Sequence, residues 1–213
     1  MKNISICTTL KNRSIVHTDH GTRYLFLNFL NSIKHVFDFG YSNLELIVSD
    51  FGSTDIPNLY DYIKTTIKDI PFHIVNLEKE NKFNRGLGLN KAISFSSHDY
   101  ILILDVDMIF NENLMNNCYK YVIEENKAYF PICYTFENDP SQQNGFWLDV
   151  AYGNFSMSKK NWLDAGKIPE YNRWGEEDLH FYEKLTCSKI REKCDYFIHQ
   201  WHPNDIEWKN RFY

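Results

Sequence analysis

The chain has 213 residues, of which 43% are hydrophobic and 24% charged, and its formal net charge is -5 at pH 7. This length is enough for one domain with a core of its own, and the composition excludes a disordered chain. The negative balance argues against a protein whose main partner is the phosphate backbone of nucleic acid.

Short β-type runs alternate with helical patterns through the first two thirds of the chain. The predicted strands are 4–8, 44–49, 72–76, 100–104 and 128–134. The predicted helices are 22–37, 59–68, 88–97 and 114–125. In the first of these helices Leu25, Phe26, Phe29, Leu30 and Ile33 recur at spacings of three and four, which predicts one apolar stripe facing a core.

Strands separated by crossover helices predict an α/β fold: a single domain, 1–213, with a Rossmann-like, mostly parallel central sheet flanked by helices. Such sheets bind ligands beyond the carboxyl ends of their strands. At those ends the chain places polar segments, among them Thr8-Thr9 and Ser49-Asp50. After Tyr134 the alternation breaks down, and we expect an elaborated half with acceptor contacts rather than a second domain.

A candidate metal site begins with Asp105 and Asp107, which follow the apolar run 101–104. Two carboxylates so close repel each other unless a cation lies beside them, and their oxygen atoms suit Mg²⁺ or Mn²⁺ rather than zinc. His199 and His202 near the C-terminus supply imidazole, although either could also be a structural residue. Pro203 fixes an extended chain at His202, which favours that histidine as the ligand.

Two further motifs have both a functional and a structural interpretation. Trp174 and Gly175 precede three carboxylates at 176–178. An indole beside carboxylates suits a sugar, and a carboxylate can accept a proton, but acids at a helix start also stabilise the helix. Arg85 lies beside two glycines at a helix start, where backbone N–H groups can face a phosphate, or where a plain loop meets a helix.

The order of these motifs resembles inverting glycosyltransferases of the GT-A fold, of the chondroitin-polymerase and β-1,4-galactosyltransferase type (family 2-like), over nearly the whole chain. Segment 7–13 is similar to the first-strand nucleotide-binding segment, 48–55 to the DDGSxD stretch, and 174–178 to WGGED. The resemblance implies a UDP-sugar donor, Mn²⁺ or Mg²⁺, and a glycan or other hydroxyl acceptor. It assigns the nucleotide sugar to 1–110, and the acceptor and catalysis to 111–213.

The resemblance also implies roles for individual residues. The implied donor-binding residues are Thr8, Leu10, Arg13, Asp50, Arg85, Asp105 and Trp174, with Thr8 and Asp50 on uracil, Arg85 on the diphosphate and Asp105 on the ribose and metal. The implied metal ligands are Asp107, His199 and His202. Asp178 is the implied general base, and Glu177 would hold sugar hydroxyls. Glu176 replaces the second glycine of WGGED, a departure that bears on sugar specificity more than on reaction type.

Two alternatives stay open at this point. A nucleotidyltransferase would need a glycine-rich basic loop after the first strand, whereas 10–14 has cations but no glycine. A catalytically silent carbohydrate-binding protein of the same fold would have lost its paired carboxylates, which this chain keeps.

The cysteines and the apolar runs indicate the setting. The five cysteines have no CxxC spacing, so we expect free thiols rather than a disulfide framework or a zinc knuckle. The N-terminus enters a strand pattern at once, and no apolar run approaches the roughly 18 residues of a membrane span. We therefore expect no transmembrane segment and a cytoplasmic location.

Overall fold

The computed structural model describes residues 3–80, 82–136, 144–171 and 175–203. The strands in these ranges are β1 (Ile4–Leu10), β2 (Val16–Thr18), β3 (Gly21–Arg23), β4 (Leu44–Asp50), β5 (Phe72–Asn76), β6 (Tyr100–Ile103), β7 (Met108–Ile109), β8 (Ala128–Phe136), β9 (Gly145–Leu148), β10 (Phe155–Ser158) and β11 (Lys189–His199). The helices are α1 (Leu25–Phe39), α2 (Leu59–Thr66), α3 (Arg85–Phe95), α4 (Glu112–Asn117), α5 (Lys159–Asp164) and α6 (Glu177–Lys184). A π-helical segment, Cys118–Glu124, continues α4.

Nine of the described strands form one sheet in the order β5-β4-β1-β6-β10-β8-β11-β7, with β9 paired to β8. The strands from β5 to β6 are parallel, as predicted. By contrast, β10 is antiparallel to both β6 and β8, while β11 is parallel to β8. The predicted α/β class is confirmed, with the correction that the sheet is mixed. Its topology brings the ends of β1, β4, β6 and β11 to the same edge.

Apolar layers cover both faces of the sheet. On one face Ile4 and Ile6 of β1 pack in a cluster with Phe26 and Phe29 of α1. On the other face Cys7 belongs to a second cluster that includes Leu89 of α3. Because β1 is buried on both faces, its sequence does not alternate between apolar and exposed polar residues, and all seven of its residues are buried. Each fully buried large side chain contributes roughly 1.5–3 kcal/mol to this core.

The first helix begins later than the sequence predicted. Residues 22 and 23 belong to the β2–β3 hairpin, and α1 begins at Leu25. Gly21, with a φ of 109°, takes a backbone conformation that side chains disfavour, and it pairs with Thr18 at the turn. Strands of three residues are too short for their sequence pattern to be distinguished from the start of a helix, so the prediction missed this hairpin.

The glycines near Arg85 have a role in packing that the sequence did not indicate. The helix α3 begins at Arg85, and the Asn84 side chain caps it by accepting a hydrogen bond from the Leu87 N–H. Gly86 and Gly88 therefore lie inside the helix and are buried. A Cβ atom on Gly86 would lie 2.0 Å from the Pro169 carbonyl oxygen, so this glycine permits the close packing of α3 against Pro169.

The second half contains regular structure that the sequence did not indicate. The strands β9, β10 and β11 all follow the point at which the predicted alternation ended. The strand β11 is rich in charge and its register with β8 shifts between Lys193 and Ile198, which obscures the period of two.

All five cysteines are free, as predicted. Among the described residues, none of the helices has the length and apolar character to cross a membrane.

Candidate active site

The site lies at the sheet edge where β1, β4, β6 and β11 end. Their ends bring the loop after Leu10, Asp50, the 105–107 turn and His199 to one side of the molecule. The antiparallel β10 begins at this edge, because Phe155 pairs with Ile103. Polar residues that are far apart in the sequence therefore meet here.

Asp107, His199 and His202 form a compact group of candidate metal ligands. One ligand atom from each lies within 4.8 Å of the others. The Nε2 atoms of His199 and His202 lie 3.7 and 3.6 Å from the Asp107 Oδ2 atom. The Thr135 hydroxyl lies 3.2 Å from the His199 Nδ1 atom, so Nε2 is the atom that faces Asp107. The structure thus brings together all three predicted ligands and gives neither histidine precedence.

The charge state of this group suits a divalent cation. Burial alone would raise the pKa of Asp107, but His199, Arg13 and His202 outweigh it and hold that pKa well below its ordinary value. Burial lowers the pKa of His199 below its ordinary value of 6.5 more than Asp107 raises it. The carboxylate is therefore charged and the imidazole neutral at pH 7, which is the state that metal ligands require. The buried Asp107 Oδ1 atom accepts no hydrogen bond from the described residues.

Arg13 joins the metal group rather than standing apart from it. Its Nη2 atom lies 3.0 Å from the Asp107 Oδ2 atom and contacts the His202 ring nitrogens. The sequence assigned Arg13 to the nucleotide alone. In the structure its guanidinium contacts two of the candidate metal ligands, Asp107 and His202.

The other aspartate of the pair faces a different partner. The Asp105 Oδ1 atom accepts a hydrogen bond of 2.9 Å from the Arg85 Nε–H. Asn154, a residue that the sequence analysis missed, accepts from the Asp105 N–H at 2.8 Å. The sequence predicted a cation between or beside Asp105 and Asp107 to relieve their repulsion. In the structure each carboxylate has its own arginine.

Arg85 links Asp105 to the acidic motif at the start of α6. Its Nη2–H donates to the Gly153 carbonyl at 2.6 Å, and its Nη1 atom lies 3.6 Å from the Glu177 Oε1 atom. Burial alone would lower the pKa of Arg85, but Asp105, Glu177 and Asp178 together raise it. The sequence predicted that this guanidinium binds a diphosphate. In the structure its contacts bridge two loops of the site, and the diphosphate role stays a prediction.

Glu177 and Asp178 differ in their surroundings. Glu177 is buried against Arg85, and its Oε2 atom accepts no hydrogen bond from the described residues. Asp178 is half-buried and accepts from the Tyr152 N–H at 3.1 Å and the Leu179 N–H at 2.9 Å. The Tyr152 ring beside it packs against Tyr182, with ring centroids 4.6 Å apart. Of the two carboxylates, Asp178 is the more exposed to solvent.

Glu176, the residue before these two, stands where the WGGED motif has its second glycine. Glu176 has a φ of 70°, the left-handed conformation that glycine adopts most readily. In this chain the replacement of that glycine by Glu176 bears on the backbone conformation, and Glu176 makes no side-chain cap for α6. Trp174, the remaining residue of the motif that the sequence singled out, lies outside the described residues.

The predicted nucleotide-binding residues are divided between the surface and the interior. Asp50 accepts hydrogen bonds from the Ser53 N–H at 3.1 Å and from the Ser53 hydroxyl at 2.6 Å, which shapes the loop after β4. Lys11, which the sequence did not single out, donates to the Phe51 carbonyl at 2.5 Å and thereby joins this loop to the end of β1. The side chains of Thr8 and Leu10 are completely buried. Neither residue is exposed at this edge, so both lie beneath the surface of the candidate site.

Beyond Asn154, the structure identifies three contributors that lack a sequence signal: Thr135, Tyr152 and Gly153. Each of them contacts a residue that the sequence did single out. Gly153 offers its carbonyl to Arg85, Tyr152 its N–H to Asp178, and Thr135 orients His199. Such roles depend on contacts between residues far apart in the sequence, which no local motif encodes.

Comparison with solved structures identifies the fold. A crystal structure of S. aureus TarS 1-349 in complex with UDP-GlcNAc superposes with a TM-score of 0.72 over 96% of this chain and 60% of that chain, at 16% identity. Another structure of TarS 1-349 gives a TM-score of 0.69 over 94% of this chain and 60% of that one, also at 16% identity. The expected GT-A glycosyltransferase fold is confirmed.

Comparison of sequences identifies the relatives. Chondroitin sulfate synthase 3 of Homo sapiens is 27% identical over 80% of this chain and 22% of its own length. Chondroitin sulfate N-acetylgalactosaminyltransferase 2 of Mus musculus is 25% identical over 83% of this chain and 37% of its own. The chain thus spans between about a fifth and two fifths of the length of these relatives. Residues 20–205 match the family model described as chondroitin N-acetylgalactosaminyltransferase, so the chain belongs to that family, and the resemblance in its motifs is confirmed.

Proposed function

We propose that the protein is a metal-dependent, inverting glycosyltransferase that moves an N-acetylhexosamine from its UDP-sugar to a hydroxyl group of a glycan. The observation that supports this most directly is the grouping of Asp107, His199 and His202 at the sheet edge, next to the loops that hold Asp105 and Asp178. The names of the chondroitin relatives and the UDP-GlcNAc bound to TarS favour an N-acetylhexosamine donor.

Asp107, His199 and His202 are the residues that would hold the metal. A carboxylate with two imidazoles suits Mn²⁺ better than Mg²⁺, which prefers oxygen ligands. The free Oδ1 atom of Asp107 and the inward-facing His199 Nε2 atom fit that ion. When bound, a divalent cation would neutralise negative charge on the diphosphate leaving group.

The donor nucleotide would lie over the ends of β1 and β4. Asp50 is the carboxylate that would accept from the uracil N–H, while the buried Thr8 and Leu10 would support the floor of the site from beneath. Arg13 is the cation nearest the metal ligands, so it would also attract the diphosphate. Arg85 would hold Asp105 and Glu177 in place rather than bind phosphate, since its guanidinium contacts both.

Asp178 would act as the general base. It would take the proton from the acceptor hydroxyl while that oxygen forms a bond to the anomeric carbon, and the bond from this carbon to the UDP oxygen would break. Attack from the face opposite UDP inverts the anomeric configuration. The Tyr152 and Leu179 N–H groups orient the carboxylate. Tyr152 and Tyr182 pack against each other beside it, and the Arg191 guanidinium lies 4.1 Å from the Tyr152 ring centroid, so this pair would support the carboxylate rather than offer a ring face to a sugar.

A donor panel tests this proposal. The protein is incubated with UDP-N-acetylgalactosamine, UDP-N-acetylglucosamine, UDP-glucose or a GDP-sugar, with a chondroitin oligosaccharide as acceptor, in Mn²⁺ and in chelator. Transfer from a UDP-N-acetylhexosamine that stops in chelator supports the proposal, and proton NMR of the product reports the anomeric configuration. Equal turnover in chelator, or a retained configuration, would contradict it. Binding of UDP and acceptor without turnover would favour the silent carbohydrate-binding protein.

A further inference from the structure

The segment between the two candidate metal histidines needs an anchor. The strand β11 ends at His199, so strand pairing does not hold His202, three residues further on. Gln200 lies between them and is only 7% exposed, although a glutamine side chain usually faces water. A buried amide must satisfy its hydrogen bonds, and its partners therefore determine where this segment lies.

Gln200 makes three hydrogen bonds to two other parts of the site. Its backbone N–H donates to the Asp107 carbonyl at 2.8 Å. Its side-chain Nε2–H donates to the Leu25 carbonyl at 3.0 Å, and its Oε1 atom accepts from the Asn28 Nδ2–H at 2.7 Å. Leu25 and Asn28 belong to the first turn of α1. The residue thus ties the histidine segment both to the backbone of the third ligand and to a long helix of the core.

We infer that Gln200 is a positioning residue for the metal site, one that fixes His199 and His202 relative to Asp107 through the first turn of α1. This inference rests on the metal site of the proposed function. Two ligands three residues apart in an irregular segment have many relative orientations, and only a few of them let both Nε2 atoms meet one ion. A side chain held at both ends of its amide removes that freedom before the metal binds.

Binding of Mn²⁺ alone to the purified protein tests the inference. The free ion is counted by electron paramagnetic resonance, so no substrate is needed. Outer-shell partners of metal ligands typically change metal affinity by roughly 10- to 100-fold, and Gln200→Ala should raise the Mn²⁺ dissociation constant within that range. The matched control is Ile33→Val, which loosens the packing of α1 from a completely buried position outside the segment. It should lower the melting temperature and leave the Mn²⁺ dissociation constant unchanged.

A second variant keeps the test decisive if Gln200→Ala does not fold. Asn28→Leu on the exposed side of α1 removes only the donor to Gln200, and leucine is the better helix former. It should raise the Mn²⁺ dissociation constant several-fold, with a fall in melting temperature comparable to that of Ile33→Val, which leaves Mn²⁺ binding unchanged.

The outcomes separate the inference from the function on which it rests. Normal Mn²⁺ affinity in either variant would overturn the positioning role while leaving the metal site intact. An equal loss of affinity in Ile33→Val would overturn it too, because general loosening would then be the cause. If the unsubstituted protein binds no Mn²⁺, the metal site and the inference both fail.

Discussion

Replacing Asp178 by asparagine should separate chemistry from structure at this site. The substitution keeps the size of the side chain and removes its capacity to take a proton. A positioned general base contributes roughly 10² to 10⁴ in rate, so transfer should fall by that factor, equivalent to about 3 to 5 kcal/mol of activation free energy. Affinities for UDP and Mn²⁺ should change little, because Asp178 contacts none of the proposed ligands of either.

The cost of this substitution in stability follows from two hydrogen bonds. Asp178 uses both oxygens, one for the Tyr152 N–H and the other for the Leu179 N–H. Asparagine has one carbonyl oxygen, so one N–H loses its acceptor. A lost partner costs about 1 to 3 kcal/mol when buried, and less here because water reaches this half-buried side chain. The folded state should survive, and urea unfolding measures the loss.

The assay compares Asp178→Asn with Glu183→Gln, which makes the same change of charge at an exposed position of α6. Transfer rate, UDP affinity and the free energy of unfolding are measured on one preparation of each. The control should transfer at the normal rate. Near-normal transfer by Asp178→Asn would refute the base assignment, and a collapse of UDP binding in parallel with the rate would show that the carboxylate serves the structure of the site instead.

Three further predictions concern the metal group and the packing of α3. Asp107→Asn should abolish measurable Mn²⁺ binding in calorimetry, because the site loses its only anionic ligand among the described residues. Burial lowers the pKa of His199 below 6.5, so the unfolded chain binds a proton at this residue at a higher pH than the folded chain does. The stability that the neutral imidazole contributes at high pH should therefore be lost as the pH falls below about 6.5. Urea unfolding of the unsubstituted protein and of His199→Gln over that range measures the difference. Gly86→Ala should destabilise the fold by about 1 to 3 kcal/mol, since its Cβ atom would lie 2.0 Å from the Pro169 carbonyl, and unchanged unfolding would contradict that packing.

The sequence predicts the first half of the fold well because its signals are local. Each parallel strand is a short run of mostly apolar residues, and α1 has a continuous apolar stripe. The hydrophobic pattern of the sequence therefore reveals both. The strand β5 occupies the predicted residues, and β1, β4 and β6 begin where predicted. The polar residues at the strand ends were also predictable, since the carboxyl edge of a parallel sheet is where such residues can meet water and ligands.

The second half and the division of labour within the site depend on distant partners. The strand β10 is four residues long, and only its place between β6 and β8 makes it a strand. Likewise, nothing beside Arg85 in the sequence indicates that its partners are Asp105, Gly153 and Glu177. A guanidinium near two glycines predicts an anion, and the sequence cannot tell a phosphate from a carboxylate supplied by the chain itself.

The 105–107 turn explains how one short motif serves two parts of the site. In a strand, residues two apart would point the same way, but β6 ends at Ile103, and the Met108 N–H donates to the Asp105 carbonyl at 3.2 Å. This turn separates the two carboxylates. Asp105 reaches Arg85 and, through it, the loop that holds Glu177 and Asp178, whereas Asp107 reaches Arg13 and the histidines. Asp107 is buried and Asp105 partly exposed, and a separate arginine beside each offsets the repulsion between two carboxylates so close together. The turn therefore directs one carboxylate toward the loop of the candidate base and the other toward the candidate metal ligands.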